Sequence, residues 1–327
     1  MVHVQHVYLN SFPNPNGCSM KYMIVSCFLL CFVTTFTFAQ LPQTVVYLFD
    51  VHRSGKQLTL DHPKIISNKK GYNNQPYFSP DGKYLFYVSS VDTSNTEIMR
   101  YDLQRKKSKR LTRTKEPEYS PRYSPDLSTL TCVRVEKDQT TQHLACYTFK
   151  GKKPLVILPQ LTSIGYYEWI NQNEFMSFEL PEPFYLVRHN ISNGKADTIA
   201  THIGRTISNV RTKSRIAYID KSDSMHWNIR TIAPENLRSK KPTKPFENPI
   251  LTETLPGEED FCVLQDGSIL MGHEGKIYIK KNPFRNKEEE WTLWADLQTF
   301  GIQKFYRMAI SVDNMQLAVV VYQGEKP

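Results

Sequence analysis

The stretch NQPYFSPDGKYLFYVSS, residues 74–90, sets an apolar run, a Ser-Pro-Asp-Gly turn and a second apolar run side by side. Its local reading is a β-hairpin. Pro80 presets φ for a turn, Asp81 can bond its own backbone, and Gly82 supplies a positive φ. The aromatic and β-branched residues 84–88 suit the second strand. A lone hairpin is marginal in water, so the fold turns on whether this one recurs.

It recurs. SPRYSPDLSTLTCVRV (residues 120–135) repeats the aromatic, the Ser-Pro-Asp turn and the apolar strand, and RMAISVDNMQLAVVVY (307–322) repeats them with Val312 in place of proline. FCVLQDGSILMG (261–272), YYEWINQNEFMSF (166–178) and SNVRTKSRIAYI (208–219) are degenerate copies. The buried position before each turn gives the markers Phe78, Tyr123, Trp169, Val210, Val263 and Ile310, separated by 45, 46, 41, 53 and 47 residues. A period in the mid-forties is the length of one four-stranded propeller blade.

The second half of each unit agrees. EIMRYDLQRKKSKRLT (97–112) reads as strand, basic turn, strand, and HLACYTFKGKKPLVIL (143–158) and YLVRHNISNGKADTIA (185–200) follow the same plan. The unit at 307–322 lacks this half, while VVYLFDVHRSGKQLT (45–59) aligns with 97–112 across its aromatic-Asp-aliphatic core. The expectation is an all-β, six-bladed β-propeller in which residues 45–51 pair with residues 317–322 and close the ring, leaving no open edge between first and last blades.

The aromatic-Ser-Pro-Asp-Gly-Lys hairpin followed by IMRYDL resembles the TolB-type β-propeller repeat of bacterial envelope proteins. The resemblance covers residues 45–327, is strongest at 78–82 and 123–126, and speaks to fold more than to function. The family's namesake carries an α/β domain before its propeller, and the expectation here is that none precedes this one.

Ahead of the repeats, Met20-Lys21 and the apolar run YMIVSCFLLCFVTTFTF lead to Thr37-Phe38-Ala39, a small-x-small site before Gln40. The expected organisation is an upstream extension over 1–19 from a mis-assigned start, a signal peptide over 20–39 and the propeller over 40–327, with a periplasmic or secreted product. Cleavage leaves Cys132, Cys146 and Cys262. Cys132 and Cys146, equidistant from a hairpin tip near Gln139, face each other if that tip is the centre, so a disulfide and two buried thiols stand as alternatives.

The net charge is +9, and the Lys/Arg groups recur at one place in the repeat. RKKSKR (105–110), KGKK (150–153), HRSGK (52–56), Lys195 and RSKKPTK (238–244) all lie at or near the turn between third and fourth strands. Those turns share one face with the Ser-Pro-Asp-Gly turns. Acidic residues concentrate in the opposite loops, including Glu97, Glu136, Glu179, Asp220, Glu253, Glu258, Glu259 and Asp260. The expectation is an electrically two-faced monomer whose basic turns contact anionic membrane surfaces or an acidic partner, with no nucleic acid involved.

Chemistry is sparse. No Gly-x-Ser-x-Gly, His-Glu-x-x-His, Cys-x-x-Cys or phosphate-cradling loop is present. The histidines at 143, 189, 202, 226 and 273 share no ligand-like spacing and read as ordinary strand or loop residues. Glu258, Glu259 and Asp260 in GEED (257–260) are the best candidate for a metal, calcium being the one cofactor considered because hard oxygen ligands suit it and because gluconolactonase-type propellers hold it in their channel. The channel rim is the candidate recognition surface: Asn74, Tyr119, Tyr166, Asn209, Glu259, Asp260 and Tyr306 precede or open the innermost strands. The reading is an exported, non-enzymatic binding or scaffolding module that engages an envelope protein. A calcium-dependent, lactonase-like hydrolase and an envelope carbohydrate- or peptidoglycan-binding protein are the alternatives.

Overall fold

A computed structural model describes residues 41–54, 57–68, 70–92, 95–149, 154–233, 248–286 and 289–323. Among them twenty-four strands form six antiparallel sheets of four. Blade 1 consists of Asn73–Phe78, Tyr84–Ser90, Thr96–Asp102 and Lys107–Arg110. Blade 2 is Glu118–Tyr123, Thr129–Val135, Gln142–Thr148 and Leu155–Val156. Blade 3 is Ile164–Asn171, Glu174–Glu179, Tyr185–Asn190 and Ala196–Thr201. Ile203–Val210, Arg215–Asp220, Asn228–Ile232 and Ile250–Glu253 make blade 4. Phe261–Val263, Ile269–His273, Lys276–Lys280 and Thr292–Asp296 make blade 5.

Blade 6 joins the chain's ends. Phe305–Ile310 and Gln316–Tyr322 are its first two strands, and Thr44–Ser54 and Gln57–Ile65 its last two. Val45 pairs with Val321, Tyr47 with Val319 and Phe49 with Leu317, as the sequence predicts.

Burial on both faces explains the continuous apolar runs. Strand side chains alternate with period two. In blade 1, Leu85 and Tyr87 pack toward Ala318 and Val320 of blade 6, while Phe86 and Val88 pack toward Leu130 and Cys132 of blade 2. Blade 6 repeats the division, with Val320 and Val46 facing blade 1 and Leu317, Val319 and Phe49 facing blade 5. Six such seams run round the ring.

The turn is built from its serine. Ser79 Oγ donates to Asp81 Oδ1 at 2.6 Å and accepts from Tyr84 N–H at 2.8 Å, with Gly82 at φ 67°. Ser124 and Asp126 make the same 2.6 Å bond, as do Ser311 and Asp313. Leu127 (φ 59°) and Asn314 (φ 60°) take the glycine's place.

Two expectations are corrected. Cys132 lies opposite Ala145, and Cys146 lies opposite Thr131. The hairpin is centred between residues 138 and 139, half a step from the assumed tip. One register step turns the two thiols to opposite faces, and both are free. The basic run 105–110 is not all turn, because Lys107–Arg110 is itself the outer strand. Residues 55–56, 150–153 and 238–244 of the other basic segments lie outside the described residues, as do the leader and extension expected over 1–39. Among the described residues no helix is long and apolar enough to cross a membrane.

Candidate functional site at the mouth of the central channel

The first strands of all six blades line a central cavity of about 360 Å³. Most are bulged near the start, with register shifts between Asn74 and Tyr77, Tyr119 and Arg122, Ile203 and Ile207, and Phe305 and Arg307. A bulge adds twist and re-aims a side chain. At the bulges of blades 1 and 2, Gln75 and Ser120 take positive φ of 54° and 53°. Gln75 Oε1 accepts from the Ser120 N–H at 2.6 Å, one repeat further on.

At the mouth, on the side away from the Ser-Pro-Asp-Gly turns, Asp260 stands between two arginines. Arg307 Nε donates to Asp260 Oδ1 at 3.0 Å, and Arg205 Nε donates to Oδ2 at 3.1 Å, with a second Arg205–Asp260 contact through Nη2. Thr206 Oγ1 adds a bond to Oδ1 at 3.2 Å. Three consecutive blades, 4, 5 and 6, thus meet on one carboxylate. Burial alone would raise the Asp260 carboxyl; Arg307 and Arg205 outweigh it and hold the group below the usual aspartate range. Burial likewise opposes charge on Arg307, and Asp260 beside it more than offsets this, so the guanidinium stays protonated.

Tyrosines hold the arginines flat. Arg205 lies over the Tyr306 ring at 4.7 Å, and Arg307 lies 5.3 Å from the centroid of Tyr166 and 5.6 Å from that of Tyr306. Stacking of this kind fixes a guanidinium plane and adds attraction where water is excluded. Tyr72 and Tyr119 continue the aromatic arc, their rings edge to face at 6.4 Å. Burial pushes the Tyr72 hydroxyl well above its usual value, so it remains a neutral donor. Deeper in the channel Arg122 Nε reaches Glu168 Oε2 at 3.4 Å and stacks on Tyr77 at 4.8 Å.

Tyr166, Asp260 and Tyr306, expected at the rim, come together here. Glu259 sits beside them, bonded to Lys221 Nζ at 2.6 Å and to the Arg205 N–H at 3.2 Å. Tyr119 is half-buried against Tyr72. Asn74 is fully buried, its Oδ1 capping the Gln75 N–H at 2.7 Å. Asn209 is displaced to the far end of the channel, opposite Ile216 beside the turn, where its Nδ2 donates to Trp169 O at 3.3 Å. The reason is the connection into blade 4: His202 alone (φ 57°) separates two strands there, so the innermost strand begins at Ile203 rather than near Ser208.

Arg205 and Arg307 were not anticipated. Arg307 had a signal, since it stands three residues before its marker Ile310, as Tyr166 does before Trp169 and Asp260 before Val263. The blade 4 bulge breaks that spacing and hides Arg205.

The GEED carboxylates diverge. Glu258 faces His273 Nδ1 at 3.1 Å, Glu259 takes Lys221 and Asp260 takes the two arginines. Among the described residues no three His, Cys, Asp or Glu side chains gather as a metal-holding group. The expected acid face is also largely compensated: Glu136 pairs with Arg134 and His143, Asp220 with Arg230, Glu253 with His226 and Glu179 with His189. Four of the five histidines read as ordinary thus hold carboxylates.

No protein-family model and no curated protein matches the sequence. Solved structures share the fold at low identity. A protein assigned as TolB from Agrobacterium tumefaciens superposes with a TM-score of 0.62 at 12% identity, over 86% of this chain and 99% of that one. TolB from Acinetobacter baumannii gives 0.52 at 13%, over 86% of this chain; the chain spans 64% of that protein's length. A gluconolactonase from Xanthomonas campestris gives 0.57 at 8%, over 86% and 98% of the two chains. The described residues form a TolB-like six-bladed β-propeller, closed by pairing of its N- and C-terminal strands.

Proposed function

We propose that the chain is an exported, non-enzymatic binding module that engages an envelope protein at the mouth of its central channel. The observation that carries the reading is the Arg205–Asp260–Arg307 bridge beneath Tyr166 and Tyr306. Rigid tyrosine rings and arginines are the residue types that dominate protein recognition. Here three blades pre-organise them, which lowers the ordering cost of binding. The basic-then-apolar pattern of residues 20–39, which reads as a leader, supports delivery to the envelope, and the fold of the TolB proteins is consistent with a role there.

The competing reading is a calcium-dependent hydrolase of the lactonase type, and the gluconolactonase likeness shows the fold alone. Such a site needs carboxylates free to converge on a metal. The two carboxylates lining the cavity, Asp260 and Glu168, are each engaged by arginine. A carbohydrate reading would use open tyrosine faces, and those of Tyr166 and Tyr306 already carry guanidinium groups.

The test is affinity capture from an envelope extract with wild type beside Tyr306→Ala and Arg205→Ala. The proposal expects one protein retained by wild type and lost at least tenfold from both variants, with melting curves confirming that they fold. Equal capture by all three overturns it.

A further inference from the structure

A cleft of about 480 Å³ opens between blades 1 and 2 on the mouth side of the ring, away from the Ser-Pro-Asp-Gly turns. Arg110 enters its wall from the outer strand of blade 1, and Arg134 from the second strand of blade 2. Arg113, Lys115 and Glu116 enter from the connection between those blades. The basic turns expected from sequence belong to the opposite face, so these four cations form a separate patch.

Two of the four are already engaged. Arg110 Nη2 bonds Glu97 Oε1 at 2.5 Å and its Nε donates to Thr112 O at 3.0 Å, while Arg134 Nη2 bonds Glu136 Oε2 at 2.7 Å. Arg113 and Lys115 are exposed, and among the described residues neither has an ion-pair partner. Lys221, also on the mouth side, is by contrast matched to Glu259. The cations outnumber the carboxylates beside them, Glu97, Glu116 and Glu136. Burial pushes the Glu118 carboxyl, at the end of the connection, up to about 7, so below that pH it cancels little of their charge.

The patch is held by fixed backbone and adjoins the mouth. The Thr114 N–H donates to Glu97 Oε1 at 2.9 Å, and Asn95 Nδ2 donates to Thr114 O at 2.9 Å, so Arg113 and Lys115 project from a pinned segment. Such pre-ordering lowers the cost of binding. Past Glu116 and Pro117 the same connection runs into Glu118 and Tyr119, and Tyr119 packs against Tyr72 in the aromatic arc of the mouth. A protein seated on the mouth that extends beyond Tyr119 meets the cleft.

The spread of the charge selects the ligand. A phosphoryl group is held best by several donors converging on one small group. Here the cations come from three separate segments, and two of them already hold carboxylates. An extended acidic segment suits that spread, because each of its carboxylates can meet a different cation. Resting on the reading of the mouth as a partner site, we propose that the partner carries an Asp- or Glu-rich segment, and that this segment lies in the cleft between blades 1 and 2 against Arg113 and Lys115.

Fluorescence anisotropy tests it on the mature chain at pH 6 and low salt, with hexaglutamate and hexaglutamine peptides that both carry fluorescein. Wild type should bind hexaglutamate and not hexaglutamine, and binding should weaken steeply as NaCl rises and screens exposed charge. Arg113→Ala with Lys115→Ala should bind about tenfold more weakly at an unchanged melting temperature, since both side chains are exposed. Alanine at Lys106, Lys107 and Lys109, near the turn on the opposite face, should leave binding as in wild type. Tyr306→Ala should leave it unchanged too, so a failure at the cleft and a failure of the mouth reading are seen separately. Equal binding by wild type and the double variant overturns the proposal, as does a loss in the triple lysine variant as large as in the double variant. Inorganic phosphate that displaces the peptide better than NaCl at matched ionic strength also overturns it and makes the cleft a phosphate site.

Discussion

Arg307 Nε donates to Asp260 Oδ1 at 3.0 Å across the boundary between blades 6 and 5, and both side chains are 12% exposed. Breaking a buried pair from one side strands the other charge, which costs about 3–5 kcal/mol where nothing else compensates. Asp260→Asn leaves two arginines facing each other, so it should lie at that end, whereas Arg307→Leu leaves Asp260 with Arg205 and should cost about 2–3 kcal/mol. Urea unfolding of both variants and the double variant checks this. Additive losses would mean that the two residues do not act as a pair.

The same pair sets a pH dependence. The folded-state pKa of Asp260 lies below its unfolded value, with Arg307 the strongest lowering influence. The stabilisation is therefore fully present above the unfolded value of about 3.8 and is lost as pH falls through the lower, folded value. Wild type should lose stability more steeply than Asp260→Asn on acidification from pH 5 to pH 2. Parallel curves would contradict the assignment.

Leu127 occupies the turn position that glycine fills in blade 1, at φ 59° with its side chain exposed. A non-glycine residue there costs about 1 kcal/mol or more. Leu127→Gly should raise stability by about 1 kcal/mol, somewhat less if the unfolded chain gains freedom. Gly82→Leu should lower it by a similar amount. A destabilising Leu127→Gly would show that the leucine makes a contact the turn needs.

The basic run divides in two. Lys106, Lys107 and Lys109 are exposed, but Arg110 bonds Glu97 at 2.5 Å. Alanine at the three lysines should leave the melting temperature unchanged and weaken co-sedimentation with anionic vesicles at low salt, by about 1 kcal/mol per lysine that contacts the surface. Arg110→Ala should instead destabilise the fold by about 3 kcal/mol. Equal sedimentation of the triple variant and wild type would assign these lysines to solvent.

How much of this was legible follows from what each residue answers to. The hairpins, the period and the closure were readable because each blade must place apolar residues on both faces and a serine-centred turn between them. Val46 and Val320, directly paired and fully buried, are fixed by that demand. The cysteine register was not, because residues 136–141 do not reveal where their turn is centred. The rim was half legible: Tyr166, Asp260 and Arg307 stand three residues before their markers and Tyr306 lies next to Arg307, while Arg205 follows a bulge and a one-residue connection that no pattern announces. The pairing of acidic loop residues with histidines and arginines was not read because it depends on side-chain direction between neighbouring segments of one blade, as for Asp220 with Arg230 and Glu179 with His189, while Glu259 and Lys221 are brought together from two blades.

Closure carries its own prediction. Aspartate in place of Val46 or Val320 buries an unpaired charge in a seam, so each variant should unfold or aggregate. Removal of residues 44–65 leaves the Gln316–Tyr322 strand as a bare edge and should give aggregates. Soluble monomer from that truncation would mean that the ring does not need its closing strands.

The central claim is that the channel mouth is where a partner binds. The most direct measurement is site-specific photo-crosslinking in the envelope, with a benzophenone amino acid at position 306 and, as control, at Leu293 on the exposed outer strand of blade 5. The account predicts a discrete crosslinked protein from position 306 that is absent from position 293 and abolished when Arg205→Ala is added. Crosslinks of equal yield from both positions, or from the outer strand alone, would contradict it.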